Sequence, residues 1–352
     1  MPNSDCDVLV VGAGVSGLTT AICLAESGAR TLIRTAAPPP ETTSSVAGAI
    51  YGPHLVEESA RTARWSRETL AVLRALAADP ATGVRTVTGV EAARGAPPPP
   101  GSPAGAPAAG TPAAPQQPPD WLADLGGAVP CRAADLPAGF ASGWRYSAPL
   151  AHMPTYLGYL RARFETAGGR VQPGTVRSLP AAAAEHGARA VVNCTGTGAR
   201  DLLPDPALKP FRGQVVIVEN PGLSEFFIGL PDDTTELVYL FPHGDTVVLG
   251  GTEVGGDWNT EPVPAVADRI LRDCAAVEPR LNGARVLRHR VGLRPYRPQV
   301  RLEAEPAGQG PGSAGHGSGP LVVHNYGHGG AGVTLSWGCA REAAALATQA
   351  LG

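Results

Sequence analysis

The first apolar run of the chain, Asp7–Val11, is short and uninterrupted, as in strands that are buried on both faces. A glycine-rich turn follows it, and Leu18–Ser27 then has the composition of a helix that stops at Gly28. A second apolar run, Thr31–Ile33, comes directly afterwards. This order predicts a strand–helix–strand unit at the start of a parallel sheet.

The pattern of the remaining chain predicts an α/β architecture. Before residue 212 the predicted strands are separated by helices, and after it short strands are separated by turn residues. A hairpin is predicted at His243-Gly244-Asp245. Near the C-terminus, an apolar strand over Leu321–Val323 passes through four glycines into a helix rich in Ala and Leu. The other predicted helices are Thr62–Leu76, Tyr156–Ala167 and Pro262–Ala276. The other predicted strands are Arg170–Leu179, Ala190–Gly196, which runs into a glycine turn, Val215–Val218, Glu236–Phe241 and Thr246–Leu249.

The first turn carries Gly12, Gly14 and Gly17 in the order Gly-x-Gly-x-x-Gly, between a strand and a helix. This context is typical of dinucleotide binding, because the glycines allow a tight turn, a close pyrophosphate and close helix–strand packing. The alternative is a glycine-rich turn without a ligand. The acidic residue expected to hold a ribose is replaced by Arg34-Thr35, which weakens an NAD interpretation and leaves NADP open.

Two later segments are further candidates for ligand contacts. The glycines from Gly327 to Gly332 allow close backbone approach, and the helix after them directs free N–H groups at an anion; an ordinary strand-to-helix turn is the alternative. Arg294 stands beside a proline and suits a bidentate grip on a carboxylate, although structural salt bridges are the alternative. His324 and His328 are spaced like metal ligands, but without a third ligand we expect no metal.

Composition narrows the class of protein. The 352 residues carry a net charge of −3 without a basic block, so we expect neither a nucleic-acid partner nor an anionic membrane. No apolar run reaches 18 residues, and the acidic N-terminus does not resemble a secretory signal. The six cysteines form no Cys-x-x-Cys pair, which favours a reduced, cytoplasmic protein. Residues 94–119 and 305–320, which are rich in Pro, Ala and Gly, are predicted to be mobile insertions.

Several separated motifs occur in an order that resembles the FAD-dependent D-amino-acid oxidase family, which includes D-aspartate oxidases. They are Val11-Gly-Ala-Gly-Val-Ser-Gly-Leu18, Thr42–Ile50, Trp65-Ser66, Val192-Asn-Cys-Thr-Gly196, Arg212-Gly-Gln214, Leu249-Gly-Gly-Thr252, Gly292-Leu-Arg-Pro-Tyr-Arg-Pro298 and His324–Gly330. The resemblance implies a Rossmann-like FAD-binding domain, made of residues 1–55, 145–212 and 286–352. It also implies an α+β substrate domain with a mixed or antiparallel sheet, made of residues 56–144 and 213–285.

The same resemblance implies roles for individual residues. Arg294 is expected to bind the substrate carboxylate, Tyr239 to add a hydroxyl, and Gly330 to offer its carbonyl to the substrate amine. The implied reaction moves a hydride from the substrate Cα to FAD, and dioxygen then yields hydrogen peroxide while the imino acid gives a 2-oxo acid and ammonia. The resemblance, the glycine motif and the hydroxyl-rich turn that begins at Thr42 together give the candidate FAD contacts. They are Gly12, Ala13, Gly14, Gly17, Thr42, Thr43, Ser44, Ala49, Ile50, Val176, Thr195, Gly329, Gly330, Gly332, Val333 and Thr334.

Departures from the family pattern bear on the substrate. By the resemblance, Gly229 stands where D-aspartate oxidases carry an arginine, and Gly330 replaces their serine. Thr235 replaces a tyrosine of some members, whereas His54 matches the D-aspartate oxidases. Because an acidic side chain would need a second buried cation, the sequence favours neutral D-amino acids, with dioxygen as the co-substrate. D-Aspartate oxidase, a glycine- or sarcosine-type amine oxidase, and a flavin-binding scaffold protein remain alternatives. A homodimer is left open.

Overall fold

A computed structural model of the chain describes residues 4–94, 118–232, 236–305 and 319–351. Within those residues it has fourteen strands and seven α-helices. The helices are α1 (Val15–Glu26), α2 (Ala60–Leu76), α3 (Trp121–Asp124), α4 (Met153–Thr166), α5 (Leu179–Glu185), α6 (Pro264–Val277) and α7 (Gly332–Thr348). The strands are β1 (Val8–Val11), β2 (Thr31–Thr35), β3 (Val84–Arg94), β4 (Val129–Pro130), β5 (Phe140–Ala151), β6 (Arg170–Pro173), β7 (Ala190–Asn193), β8 (Lys209–Glu219), β9 (Phe226–Gly229), β10 (Val238–His243), β11 (Thr246–Gly250), β12 (Val254–Gly255), β13 (Val286–Glu305) and β14 (Leu321–His328).

One part of the structure is a parallel sheet in the order β14-β7-β1-β2-β6. Its central strands are fully buried, since the side chains of Val8, Leu9 and Val10 are 0% exposed. Helices α1, α4 and α7 pack against this sheet through a common apolar cluster. The carboxyl ends of β1, β2, β7 and β14 therefore lie along one edge, where open α/β sheets bind ligands.

The other part is a mixed, mostly antiparallel sheet in the order β4-β5-β3-β9-β10-β11-β8. Strand β13 joins the two parts, because its first half pairs with β8 and its second half pairs with β14. The pairing of β13 with β14 shifts register between Tyr296 and Arg301, where the strand changes partner. Arg294 precedes that shift, so the fold places it where the two sheets meet.

Most predicted elements are confirmed, with boundaries shifted by a few residues, and the β10–β11 hairpin turns at Gly244 as expected. The strand predicted over Arg170–Leu179 is wrong in its second half. It ends at Pro173, and α5 begins at Leu179 because the Ser178 side chain accepts a hydrogen bond from the Ala181 N–H and caps the helix. Strand β14 is longer than predicted and continues to His328.

Some expectations stay predictions. Most of both predicted insertions lies outside the described residues, as does Thr235. The division into two domains is also still a prediction, since the hydrogen-bonded strand order runs through both parts. Among the helices that the structure describes, none is long and apolar enough to cross a membrane.

Candidate active site

A cavity of about 1000 Å³ lies between the edge of the parallel sheet and the mixed sheet. One end is lined by residues after β2, β6 and β7, and the other by side chains from β3, β5, β9 and β10. Every candidate site residue predicted from the sequence lines this cavity, with the exception of Gly17. The fold therefore brings together segments that are more than 300 positions apart in the chain.

The glycine motif forms the floor of the first end. Gly12 has a φ of +106°, and a Cβ atom there would lie 2.5 Å from the Cys194 carbonyl oxygen. Gly17 serves packing rather than lining, since its Cβ would lie 1.9 Å from the Gly12 carbonyl oxygen. These clearances are what a turn needs when it brings the N-terminus of α1 close to a pyrophosphate.

A second loop closes over this helix start. The Ser44 hydroxyl accepts a hydrogen bond of 3.0 Å from the Val15 N–H, so the hydroxyl-rich turn is tied to the first turn of α1. The other cavity-lining residues of the loop are Thr42, Thr43, Val46, Ala47, Gly48, Ala49 and Ile50. Ala49 has a φ of +58°, which is uncommon for a residue with a side chain and fits a loop shaped around a ligand.

The N-terminus of α7 points into the middle of the cavity, which Gly332, Val333 and Thr334 line. The Thr334 hydroxyl donates to the Gly52 carbonyl at 2.9 Å and thereby fixes the helix start against the loop. Gly329 has a φ of +56°, and a Cβ there would lie 1.9 Å from a backbone oxygen. The free N–H groups and helix dipole of α7 favour negative charge at this position.

Arg34 stands at the end of β2, where an acidic residue was expected. It forms an ion pair with Glu185 at 3.3 Å and lies 2.9 Å from His186 Nε2. Its side chain is 15% exposed and lines the cavity together with Thr35, Glu41 and Val176. The residues here that could hold a ribose are Thr35 and Glu41, since no acid ends β2.

Arg294 and Tyr239 form the polar centre of the mixed sheet. The Arg294 Nη1 atom donates to the Thr252 carbonyl at 3.0 Å, and its guanidinium lies over Gly213, where a Cβ would be only 2.5 Å from Nη1. The Tyr239 ring lies over Gly250, where a Cβ would be 2.0 Å from the ring. Both side chains therefore lie flat on glycine backbone, which holds them in place.

Burial raises the pKa of Tyr239, although nearby Arg294 acts to lower it. The ring is 5% exposed and stacks on Phe241, with centroids 4.6 Å apart. The phenol thus keeps its proton at neutral pH and can donate a hydrogen bond to an anion held by Arg294.

His54 lies against Gly330, the last of the three predicted catalytic residues. A Cβ on Gly330 would lie 2.2 Å from His54 Cδ2, so a serine has no room there. His54 Nε2 pairs with the Glu253 carboxylate. Burial acts to raise the pKa of Glu253, but His54 and Arg294 outweigh it and lower the pKa below its usual value.

Sequence reasoning missed the side chains that line the far end of the cavity. They are Glu91, Trp121, Tyr146, Ile228 and Leu237. The alternation of strand β3 could have placed Glu91 on the same face as Val87, which is 5% exposed, but which strand pairs with it is not readable locally. Long-range pairing decides this part of the site.

The two histidines near the C-terminus have structural partners. His328 Nε2 lies 3.0 Å from Asn325 Oδ1, and burial lowers its pKa to about 4. His324 is 1% exposed and lies 3.1 Å from the Glu305 carboxylate. Among the residues that the structure describes, no group of three or more His, Cys, Asp or Glu could hold a metal ion.

The cavity fits a flavin dinucleotide by its own features. The residues at the N-termini of α1 and α7 line it, and both helix starts favour phosphate or an anionic ring edge. Glycines at these turns let a ligand approach the backbone closely. The residues that would hold FAD are those of the glycine motif, the Thr42–Ile50 loop, Val176, Thr195 and Gly329–Thr334.

Comparison with known proteins agrees with this geometry. Residues 7–346 match the sequence model of the family described as FAD dependent oxidoreductase. The chain is 47% identical over 343 residues to a D-amino-acid oxidase of Rubrobacter xylanophilus, covering 97% of this chain and 96% of that protein. It is 44% identical over 350 residues to a D-amino-acid oxidase of Streptomyces coelicolor, covering 98% of this chain and 97% of that protein.

The fold is also found among solved structures. A glycine oxidase from Bacillus cereus superposes with a TM-score of 0.73 at 18% identity, covering 98% of this chain and 97% of that chain. At that identity the likeness concerns the fold alone. The family match and the two relatives confirm the resemblance drawn from the motifs, and the chain belongs to the FAD-dependent oxidoreductases.

Proposed function

We propose that the protein is a D-amino-acid oxidase, which converts a D-amino acid and dioxygen into a 2-oxo acid, ammonia and hydrogen peroxide. The observation that carries this proposal is the partly buried Arg294 beside the buried Tyr239, both lining a cavity that fits FAD. The names of the two bacterial relatives support the same reaction.

Arg294 binds the α-carboxylate of the substrate in this proposal. Its guanidinium donates to the Thr252 carbonyl through Nη1 and also hydrogen-bonds the Tyr239 side chain. The N–H groups that these two contacts leave would form charge-assisted hydrogen bonds with the two carboxylate oxygens. The protonated Tyr239 hydroxyl donates a further hydrogen bond to the same carboxylate. Together they fix the orientation of the Cα–H bond, which can lower the barrier by about 7–11 kcal/mol at best.

The substrate amine is bound on the opposite side, by the Gly330 carbonyl. His54 lies against this glycine. FAD, when bound, accepts the hydride from the substrate and passes the electrons to dioxygen. The N-terminus of α7, which the Thr334 side chain fixes against Gly52, would stabilise negative charge on the bound cofactor, since its dipole is oriented before the reaction.

Neutral D-amino acids suit this site better than acidic ones. A Cβ on Gly229 would lie 2.7 Å from Phe140 Cζ, so this position leaves no space for a longer side chain. Gly330 is likewise covered by His54. These two contacts disfavour the D-aspartate oxidase alternative, because the second cation that an acidic substrate needs would have to come from elsewhere.

The flavin-binding scaffold is a weaker alternative, because a scaffold does not need a buried phenol beside a guanidinium in the same cavity. The test is to replace Arg294 with Ala in the purified holoprotein and to measure peroxide formation and flavin absorbance. We expect turnover of D-amino acids to fall by at least a hundredfold while the yellow colour is kept. Arg288→Ala, an exposed arginine on the same strand, is the matched control. Loss of the flavin from Arg294→Ala, or unchanged turnover, would refute the role of Arg294.

A further inference from the structure

We propose that Glu91 makes the far end of the cavity a cation-binding subsite, so that the enzyme oxidises D-lysine and D-arginine better than neutral D-amino acids of the same length. The proposal rests on the proposed function and specifies the substrate side chain that the site recognises. Neutral D-amino acids remain substrates, and acidic ones are disfavoured further.

The position of Glu91 follows from strand pairing. Glu91 on β3 pairs with Ile228 on β9, and Ile228 pairs with Tyr239 on β10. Directly paired residues point to the same face of a sheet, so Glu91 and Tyr239 lie in one row facing the cavity. Their Cα atoms are two strand spacings apart, or about 10 Å. That span suits a substrate whose carboxylate is held beside Tyr239 and whose long side chain reaches along the row.

The Glu91 carboxylate is held in place but not neutralised by a strong cation. The Tyr146 hydroxyl donates to its Oε2 at 2.9 Å, and Tyr146 itself is 4% exposed. Among the residues that the structure describes, this is the only side chain within hydrogen-bond distance of the Glu91 carboxylate. Burial raises the pKa of Glu91, while the Tyr146 hydrogen bond and the charge of His54 act to lower it. A cationic side chain would replace the solvation that burial removes.

The surrounding charges favour a cation over an anion at this end. His54 forms an ion pair with Glu253, and its charge acts to lower the pKa of Glu91, so two carboxylates accompany one histidine at this end. The wall between Glu91 and Tyr239 is apolar, formed by Ile228 and Leu237. This wall packs against the methylene groups of a lysine or arginine side chain while the charged end meets the carboxylate.

The test compares substrates of similar length that differ in charge. The wild-type holoenzyme is assayed for kcat/KM with D-lysine, D-arginine, D-norleucine and D-glutamate at one pH and ionic strength. We expect D-lysine and D-arginine to exceed D-norleucine, and D-glutamate to be the poorest. Wild-type turnover of D-norleucine that exceeds turnover of D-lysine and D-arginine would overturn the subsite and leave the proposed function intact. Absence of turnover with every D-amino acid would overturn the proposed function itself.

A variant identifies the group responsible. Glu91→Gln keeps the shape and the hydrogen bond from Tyr146 but removes the charge. We expect kcat/KM for D-lysine and D-arginine to fall about 10–100-fold, while the value for D-norleucine changes by less than about threefold. Glu225→Gln, an exposed acid one residue before β9, is the matched control. An equal fall for all substrates, or no change in the ratio of D-lysine to D-norleucine, would show that Glu91 is structural.

Discussion

Gly213 offers a sensitive test of the position of the Arg294 guanidinium. A Cβ at position 213 would lie 2.5 Å from Arg294 Nη1, 2.7 Å from Cζ and 2.8 Å from Nη2. The backbone of Gly213 does not have the positive φ that favours glycine, so alanine fits the strand itself. The substitution Gly213→Ala therefore acts on one flexible side chain and leaves the backbone unstrained.

The size of the effect follows from these distances. Ordinary contacts begin at 3.4 Å, so the guanidinium must move by about 0.9 Å, the difference from 2.5 Å. That movement also breaks its hydrogen bond of 3.0 Å to the Thr252 carbonyl. A misplacement of about 1 Å in a substrate-positioning group can lower the rate by about a hundredfold. We expect kcat/KM for D-alanine to fall 10- to 100-fold in Gly213→Ala.

The assay measures peroxide formation, flavin absorbance and thermal unfolding for the same preparation. Gly158→Ala is the control, because Gly158 is exposed in α4 and a Cβ at this position would meet no neighbouring atom within 4 Å. The control is expected to keep full activity and to gain about 0.5–1 kcal/mol of stability from the helix. Full activity of Gly213→Ala with flavin bound would contradict the placement of Arg294 over the substrate carboxylate.

Three further predictions concern charge and backbone. Burial acts to raise the pKa of Asp205, but Tyr326 and Arg297 outweigh it and lower the pKa, so this ion pair stabilises the protein above the unfolded pKa and is lost in acid. Asp205→Asn should lower the free energy of unfolding in urea by about 3 kcal/mol at pH 7 and by much less near pH 3. An equal decrease at both pH values would exclude an ionic origin of this stabilisation. Because burial raises the pKa of Glu91, ionisation costs stability at neutral pH, and Glu91→Gln should have the higher Tm at pH 7.5 but not at pH 4; a lower Tm at pH 7.5 would disprove this. Gly329→Ala, at φ +56° and 1.9 Å from a backbone oxygen, should purify with little flavin, and normal flavin content would show that the loop can move freely.

The cofactor end of the site could be predicted from the sequence because its signals are local. Gly12, Gly17 and Gly329 stand where a side chain would collide with backbone, and such positions leave a glycine spacing that can be recognised without the fold. The segment after Gln172 was harder. The residue types predicted that the strand continues, but the Ser178 cap starts a helix instead. Val176 lies in the loop between the strand and the helix and lines the cavity from there.

The substrate end depended on pairing between distant strands. Glu91 faces the cavity because β3 lies beside β9, more than 130 positions later in the chain, and no local pattern specifies that neighbour. The cover that His54 forms over Gly330 is also a tertiary contact. Arg294 could be found as a motif, but its fixed position depends on Gly213 and Thr252, which different segments provide.

The most direct test of the central claim is product analysis with the two enantiomers of alanine under air. The account predicts a yellow protein that consumes D-alanine and forms pyruvate, ammonia and peroxide in equal amounts, with L-alanine unchanged. A colourless protein that FAD does not reconstitute, or a flavoprotein that treats both enantiomers alike, would contradict it.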